Sequence, residues 1–551
     1  MRLLLCLLLC LVYLVVHPFT TQAQSRKAYQ FAVFFTTKQP VEHLLSTPEK
    51  FLSARAILRK QSHKISITPT DLPVVPAFVD VIKQAGFYVH ATSKWFNCAI
   101  VFTSSKQAID SLQKFSFVRQ VIEVGQANWP KASGVMLPID SIAASFVIKQ
   151  NNSINNNLSV YGKAVNQTQF NQTHVLHKAG LTGHKTLVAV IDAGFSQAHQ
   201  HPVFAHAFKQ VQAVYDFVEA EQNVFDDDEH GTAVWSCMAA QDSFNFIGTA
   251  PQASYVLLRS EDVATEFPVE EFYWAIAAEF ADSCGADIIS SSVGYTTFDD
   301  AKYNYQRKAL GNDLTWISQA AKLANDKGMM VVNSAGNEGN NKWKSVAFPA
   351  DVAGVLSIGA INAKYKRAGF SSIGWVNANG VKPNVVTLGD DVAVANDWGR
   401  ITYGSGTSYA TPIFAGALAC VWPALSGLSN QQIVDLIHRS SSQYHQPTKQ
   451  LGYGVTNMWL VYLFAQKYTR DTLLDFSLLP DGYYHAAARF ISKQKITVHL
   501  YGANHKLIDS LVIKVDAGNE RVRLFAQEPK YVDVKMIQLI TNTETIEVNL
   551  P

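Results

Sequence analysis

The chain has 551 residues, 48% hydrophobic and 16% charged, a balance that makes a folded globular protein and excludes a disordered one. Its 46 basic and 44 acidic residues leave a net charge of +2, so nothing in the overall charge points to nucleic acid or an anionic membrane surface. Several domains are expected at this length, at least one with a large core.

Arg2 precedes LLLCLLLCLVYLVV, an apolar run of 14 residues, and then HPFTTQAQ. A charged start, an apolar stretch and the small-residue site at Thr21, Gln22 and Ala23 predict a signal peptide over residues 1–23 and a secreted or cell-surface protein. The run is too short to span a bilayer comfortably, and no later stretch is expected to form a transmembrane helix. Residues 24–150 follow as a second unit. YQFAVFF, LSARAILRKQ, AFVDVIKQAG, FYVHATSKWFNCAIVF, KQAIDSLQKF and FVRQVIEV alternate between strand and helix character, which predicts a compact α+β unit of ferredoxin-like size. KQNNSINNNLS, from Lys149 to Ser159, is polar and rich in turn-formers, and predicts a linker open to proteolysis.

Residues 151–467 change character from about Thr186. TLVAVID, VQAVYDFV, SYVLLRS, ADIISSSVG, MMVVNSAG and VLSIGAI are short and continuously apolar, as buried parallel strands are. PVEEFYWAIAAEFADS and LTWISQAAKLANDKG carry apolar stripes at helical spacing between them. The fold class is therefore α/β, a parallel helix-covered sheet, whose sites belong at the carboxyl ends of its strands. After about Tyr468 the pattern has period two in KITVHLYG, SLVIKVDA and VDVKMIQLIT, so residues 468–551 predict a small C-terminal β-sandwich. Cys98, Cys237, Cys284 and Cys420 remain once the signal is removed. Their wide spacing in apolar settings predicts buried thiols, with room for one bridge and no disulfide framework or metal site.

Three stretches carry chemistry. In VAVIDAGF, Asp192 ends a buried strand and Gly194 opens the turn. In DDDEHGTAVWSCMAA, His230 starts a helix. In YGSGTSYATPIFAGALAC, Ser408 opens an apolar helix. Singly, each has a plain structural reading, as a helix cap or a surface histidine. Asp226 to Glu229 reads as a solvated loop, and a structural calcium site is left open with no residues assigned to it. Together the three supply a nucleophile, a base to activate it and a carboxylate to orient the base.

In the order Asp192, His230, Ser408, these motifs make the chain resemble the subtilisin-like serine proteases, the subtilases. The resemblance covers roughly residues 160 to 465. It implies a secreted serine endopeptidase acting on protein or peptide substrates, with no cofactor or metal required for the chemistry. VNSAGNEGN matches the family's oxyanion motif, so Asn337 is the implied oxyanion donor. IISSSVGY looks like the substrate-edge strand, which implies backbone pairing by Ser292, Val293 and Gly294. Ser334, Ala335 and Gly336 would form a wall of the main specificity pocket and Ala347 its floor, suited to large apolar or aromatic side chains. The N-terminal unit is similar in position and size to subtilase propeptides, which implies a zymogen with its own intramolecular inhibitor. Phe195 and the segment from Phe298 to Asp313 depart from the family pattern. The C-terminal unit loosely resembles sorting domains of exported bacterial proteases, which would add an export or cell-surface sorting apparatus as a partner.

Two rivals make different demands. An α/β-hydrolase esterase needs G-x-S-x-G, and Gly406-Thr407-Ser408-Tyr409-Ala410 lacks the final glycine. A catalytically silent binding protein would have no need to keep all of Asp192, His230, Ser408 and Asn337.

Overall fold

A computed structural model describes residues 27–129 and 158–465, and between 472 and 549 seven strands with short adjoining stretches. The signal peptide and nearly all of the Asn-rich linker lie outside the described residues.

The N-terminal unit runs β1 (Lys27–Phe35), α1 (Ala54–Ser62), α2 (Pro76–Gln84), β2 (Tyr88–Ser93), β3 (Cys98–Thr103) and β4 (Val118–Asn128). Its strands form an antiparallel sheet in the order β2-β3-β1-β4, the ferredoxin-like arrangement. YQFAVFF is continuously apolar although antiparallel, because both faces of β1 are covered. Phe31, Val33 and Phe35 pack with Ile82 of α2 and Leu112 inside the unit. Ala28, Ala32 and Phe34 point the other way, into a core shared with Phe272, Tyr273 and Trp274 of the next domain. Charge crosses the same boundary. Arg59 and Lys60 of α1 pair with the buried Asp282, and Lys327 pairs back onto Asp71 at 2.7 Å.

The second domain is built on β5 (Leu187–Asp192), β6 (Val211–Asp216), α3 (His230–Ala239), β7 (Ser254–Arg259), α4 (Val269–Cys284), β8 (Ile288–Ser291), α5 (Trp316–Asp326), β9 (Met330–Ser334), β10 (Leu356–Ile361), β11 (Val385–Leu388) and α6 (Thr407–Val421). Seven parallel strands lie in the order β11-β10-β9-β8-β5-β7-β6. Alternate residues serve opposite faces: Val188 and Val190 join the core of α3 and α6, while Leu187, Ala189 and Ile191 join that of α4 and α5. Helix α6, continued to Leu425, is long and apolar enough to cross a membrane by composition, which corrects the expectation that no later stretch would be. Its apolar surface is instead spent inside the sheet's core, where Phe414, Ala415 and Leu418 are fully buried.

The C-terminal strands form a three-stranded and a four-stranded sheet. Ile496, Val498 and Leu539 of one share a small core with Val522 and Leu524 of the other, as a sandwich requires.

Candidate active site

Asp192 is the last residue of β5, near the centre of the sheet, and is fully buried. One oxygen, Oδ1, accepts the Ala193 N–H at 2.8 Å and lies 2.6 Å from Nδ1 of His230. Two glycines permit that approach. Gly194 has φ +148°, and a Cβ there would lie 2.7 Å from the Asp228 backbone nitrogen. A Cβ on Gly231 would meet the Gly194 carbonyl oxygen at 2.2 Å, so any side chain would push α3 off the turn. His230 opens α3 with its own N–H held by Asp228 Oδ1 at 2.7 Å. Burial pulls the imidazole pKa down, but the charge and hydrogen bond of Asp192, with Asp228 and Glu261 beyond, raise it to about 8. A third of the side chain stays open to water, and the ring sits 6.1 Å from that of Tyr409.

Ser408 stands in the first turn of α6, where backbone N–H groups are left unpaired and the helix dipole favours negative charge. Its hydroxyl donates a long 3.5 Å bond to the Ser292 carbonyl and not to His230. Such contacts are often loose before substrate binds. Asn337 precedes a short turn, Glu338–Asn340, and its Oδ1 accepts both the N–H and the hydroxyl of Thr407 at 2.9 Å. That fixes the amide with Nδ2 outward. A Cβ built on Gly406 would lie 3.8 Å from Asn337 Nδ2 and 3.6 Å from the Ser408 nitrogen, so both nitrogens border the same side of Gly406.

Ser292, Val293 and Gly294 continue the line of β8 beyond its last paired residue. Val293 turns inward, its carbonyl taken by Asn333 Nδ2 at 3.1 Å, while Ser292 anchors the serine turn by donating to the Ser408 carbonyl at 2.9 Å. Gly294 is exposed, and Tyr295 resumes pairing with Phe348. A Cβ on Gly294 would touch the Ala347 methyl at 3.1 Å, and one on Gly336 would touch it at 3.2 Å. Ala347 is thus where the two glycine walls meet. Ser334 and Ala335 are buried behind Gly336. Phe195 is a core residue, and Tyr305 of the Phe298–Asp313 segment packs edge-on to Phe348 behind the same wall.

Sequence reasoning missed several contributors. The Asp226–Glu229 run is more than a solvated loop. Asp226 accepts from Asn223 at 2.5 Å, Asp227 pairs with Arg259 at 3.1 Å, Asp228 holds His230 and Glu229 accepts the Asp397 N–H at 3.2 Å. Among the described residues, no three His, Cys, Asp or Glu side chains gather as a metal site would need. Thr407 and Gly406 were legible only as members of the GSGTS stretch, and Asn333 and Glu261 carry no motif at all.

The stretch of chain that holds these residues also matches known proteins. Residues 183–454 match the family model described as the subtilase family, and residues 30–135 match that of the Peptidase S8 propeptide domain of Bacteroidota. Subtilisin NAT of Bacillus subtilis subsp. natto is 29% identical over 289 residues, 51% of this chain and 67% of that protein. Subtilisin of Bacillus pumilus is 29% identical over 51% of this chain and 93% of its own length. The crystal structure of the epidermin leader peptide processing serine protease (EpiP) from Staphylococcus aureus superposes with a TM-score of 0.53 over 80% of this chain and 99% of that one. At 17% identity that last likeness concerns the fold alone.

Proposed function

Since the chain belongs to the subtilase family and is a subtilisin-like serine endopeptidase with a propeptide domain, we propose that it is exported as a zymogen and hydrolyses peptide bonds through Asp192, His230, Ser408 and Asn337. The observation that most supports this is the 2.6 Å contact of His230 Nδ1 with buried Asp192, in the cleft that also holds Ser408 and the outward Asn337 amide. In this reading Nε2 of His230 takes the Ser408 hydroxyl proton as Oγ turns from Ser292 to attack the substrate carbonyl. The Ser408 N–H and Asn337 Nδ2 receive the oxyanion, His230 returns the proton to the leaving amine, and water then frees the acyl group. Asp192 holds the imidazole in the tautomer with Nδ1 protonated. The substrate backbone pairs with the open edge at Ser292 and Gly294. Its scissile-side residue, large and apolar, enters between Gly294, Gly336 and Ala347, with Ser334 and Ala335 behind. Reaction of Ser408 with a fluorophosphonate, followed by cleavage-site mapping on a peptide library, tests the assignment. An unlabelled Ser408 in folded, processed protein would refute the nucleophile, and a profile without apolar preference would refute the pocket.

Two further results are expected. Asn337→Ala should fold yet lose on the order of 10²–10³ in turnover, because one of two preorganised donors is gone while the Ser408 N–H remains. Unchanged kcat in a folded variant would remove Asn337 from the mechanism. The pH profile of kcat/KM should rise through about 8, since His230 must be neutral to accept a proton and its neighbours hold it charged below that. A rising limb near the ordinary histidine value would mean that Asp192 does not govern the base.

The N-terminal unit is read as the intramolecular inhibitor. Support comes from the end of β4, where Asn128 and Trp129 border a cavity of about 480 Å³ together with Asp262 and Val263 of the second domain. Export rests on the predicted signal peptide, and the N-terminal sequence of protein recovered from the medium tests it. Sorting at the cell surface is the role proposed for the C-terminal strands. Unaltered delivery of a chain truncated before Thr472 would exclude it. A structural calcium ion has no assigned ligands.

A further inference from the structure

Glu261 is a carboxylate in the cleft that the chemistry above leaves unused. It lies two residues past β7, and the Ser260 N–H between them donates to the Asp192 carbonyl at 3.0 Å. The turn carrying Glu261 is therefore tied to the strand end that carries the base's partner. Its Oε1 accepts from the buried Tyr295 hydroxyl at 2.5 Å and from Ser260 Oγ at 2.8 Å. Tyr295 directly follows Gly294, so the side chain bridges the two chain segments that flank the cleft. The other oxygen, Oε2, accepts no hydrogen bond among the described residues, and the side chain is only part-buried.

Among the described residues, nearby acids have a cation where Glu261 does not. Asp216 and Asp227 share Arg259 at 2.7 and 3.1 Å, and Asp192 has His230. The charges felt by Glu261 are those of Glu266 and Asp192, both of its own sign, with Glu270 also close. Burial pushes its carboxyl up to about 8, the Tyr295 bond opposing and Glu266 adding. Its charge in turn helps to raise His230, which places it within electrostatic reach of the base. The adjoining cavity is lined by Glu219, Asp227, Asp262 and Asp299 against only Lys27 and Arg259. An extended substrate alternates its side chains, so when the scissile-side residue enters between Gly294, Gly336 and Ala347, the residue before it faces the other way, over His230 and Glu261.

We propose that Glu261 is a specificity residue that selects a lysine or arginine side chain immediately before the scissile-side residue, its Oε2 pairing with the incoming cation. The inference rests on the peptidase reading and names its substrate class: peptides with a basic residue followed by a large apolar one. The acidic rim would steer the same peptides toward the cleft.

The test uses processed enzyme at a pH above about 8, where the Glu261 carboxyl is ionised, and three peptides that differ only at that residue, as Lys, Ala or Glu. The readout is the kcat/KM ratio of the Lys to the Glu peptide. In the wild type it should be tenfold or more, on the order expected for one attractive and one repulsive charge contact, and should shrink with added salt. Glu261→Gln should bring it near one, and Glu261→Lys should invert it. Glu261→Gln keeps the shape and the Tyr295 bond, so it reads charge alone even where Glu261→Lys fails to fold. A residue that merely braced Tyr295 would leave the ratio the same in all folded forms. Equal cleavage of the three peptides by the wild type overturns this inference while the peptidase reading stands. No cleavage of any peptide, together with no fluorophosphonate labelling, overturns both.

Discussion

Ser408→Ala is expected to accumulate as an uncut chain that keeps the N-terminal unit, whereas the wild type loses it. The expectation follows from the division of labour in the cleft. Without the hydroxyl, His230 and Asp192 have nothing to activate, and the two oxyanion donors act on a substrate that no nucleophile attacks. Loss of a triad nucleophile costs on the order of 10⁶ in turnover, which turns cleavage in minutes into cleavage in years. The cut is expected in or near the polar stretch between the two domains, Lys149 to Ser159, whose composition suits proteolysis. Intact mass and N-terminal sequence of both proteins, made in a host without other secreted proteases, decide the matter. Normal maturation of Ser408→Ala would end the case for self-processing, and residual peptide hydrolysis by it would end the case for the triad.

Asp192→Asn should retain the fold and lose on the order of 10⁴ in kcat. The substitution is nearly isosteric, and the Ala193 N–H that now binds Oδ1 can still bind the amide oxygen. That same oxygen also faces His230 Nδ1, so the amide keeps the contact but loses the negative charge that stabilises the imidazolium formed when His230 takes the Ser408 proton. The same change removes the main charge that raises His230, so the rising limb of kcat/KM should move from about 8 toward lower pH. A small loss of kcat with an unmoved limb would mean that Asp192 only caps its turn.

How far the sequence was legible depended on how local each cause was. Asp192, His230 and Ser408 each sit in a short motif at a strand or helix end, and the fold brings Asp192 and His230 into contact at the carboxyl end of the central sheet. The parallel strands were legible because burial on both faces leaves an apolar run. The same rule explains the apolar run of β1, whose second covered face belongs to the next domain, where Gln30 reaches Tyr273, 243 residues on. Glu261 was illegible. Nothing in RSEDVATEF marks it, and its nearness to the base comes from the pairing of β5 with β7, where Asp192 faces Arg259. Asp228 failed for a different reason: in a run of four acids, only the geometry of the helix start singles one out. The apolarity of α6 misled in the opposite sense, because composition cannot tell a core helix from a membrane one.

The face of the N-terminal sheet formed by Ala28, Ala32, Phe34, Cys98, Ile100 and Phe102 has no covering of its own and borrows α4 for the purpose. Once the chain between the domains is severed, that arrangement gives activation a direction. While docked, the unit keeps an oily face dry. Adrift, it carries that face into water, where so small a fold has little else to hold it together. A loosened polypeptide beside a competent protease is food, and each unit digested is one that cannot return to block the cleft. If the first cut falls between the domains, the borrowed core would favour digestion of a released unit over its return.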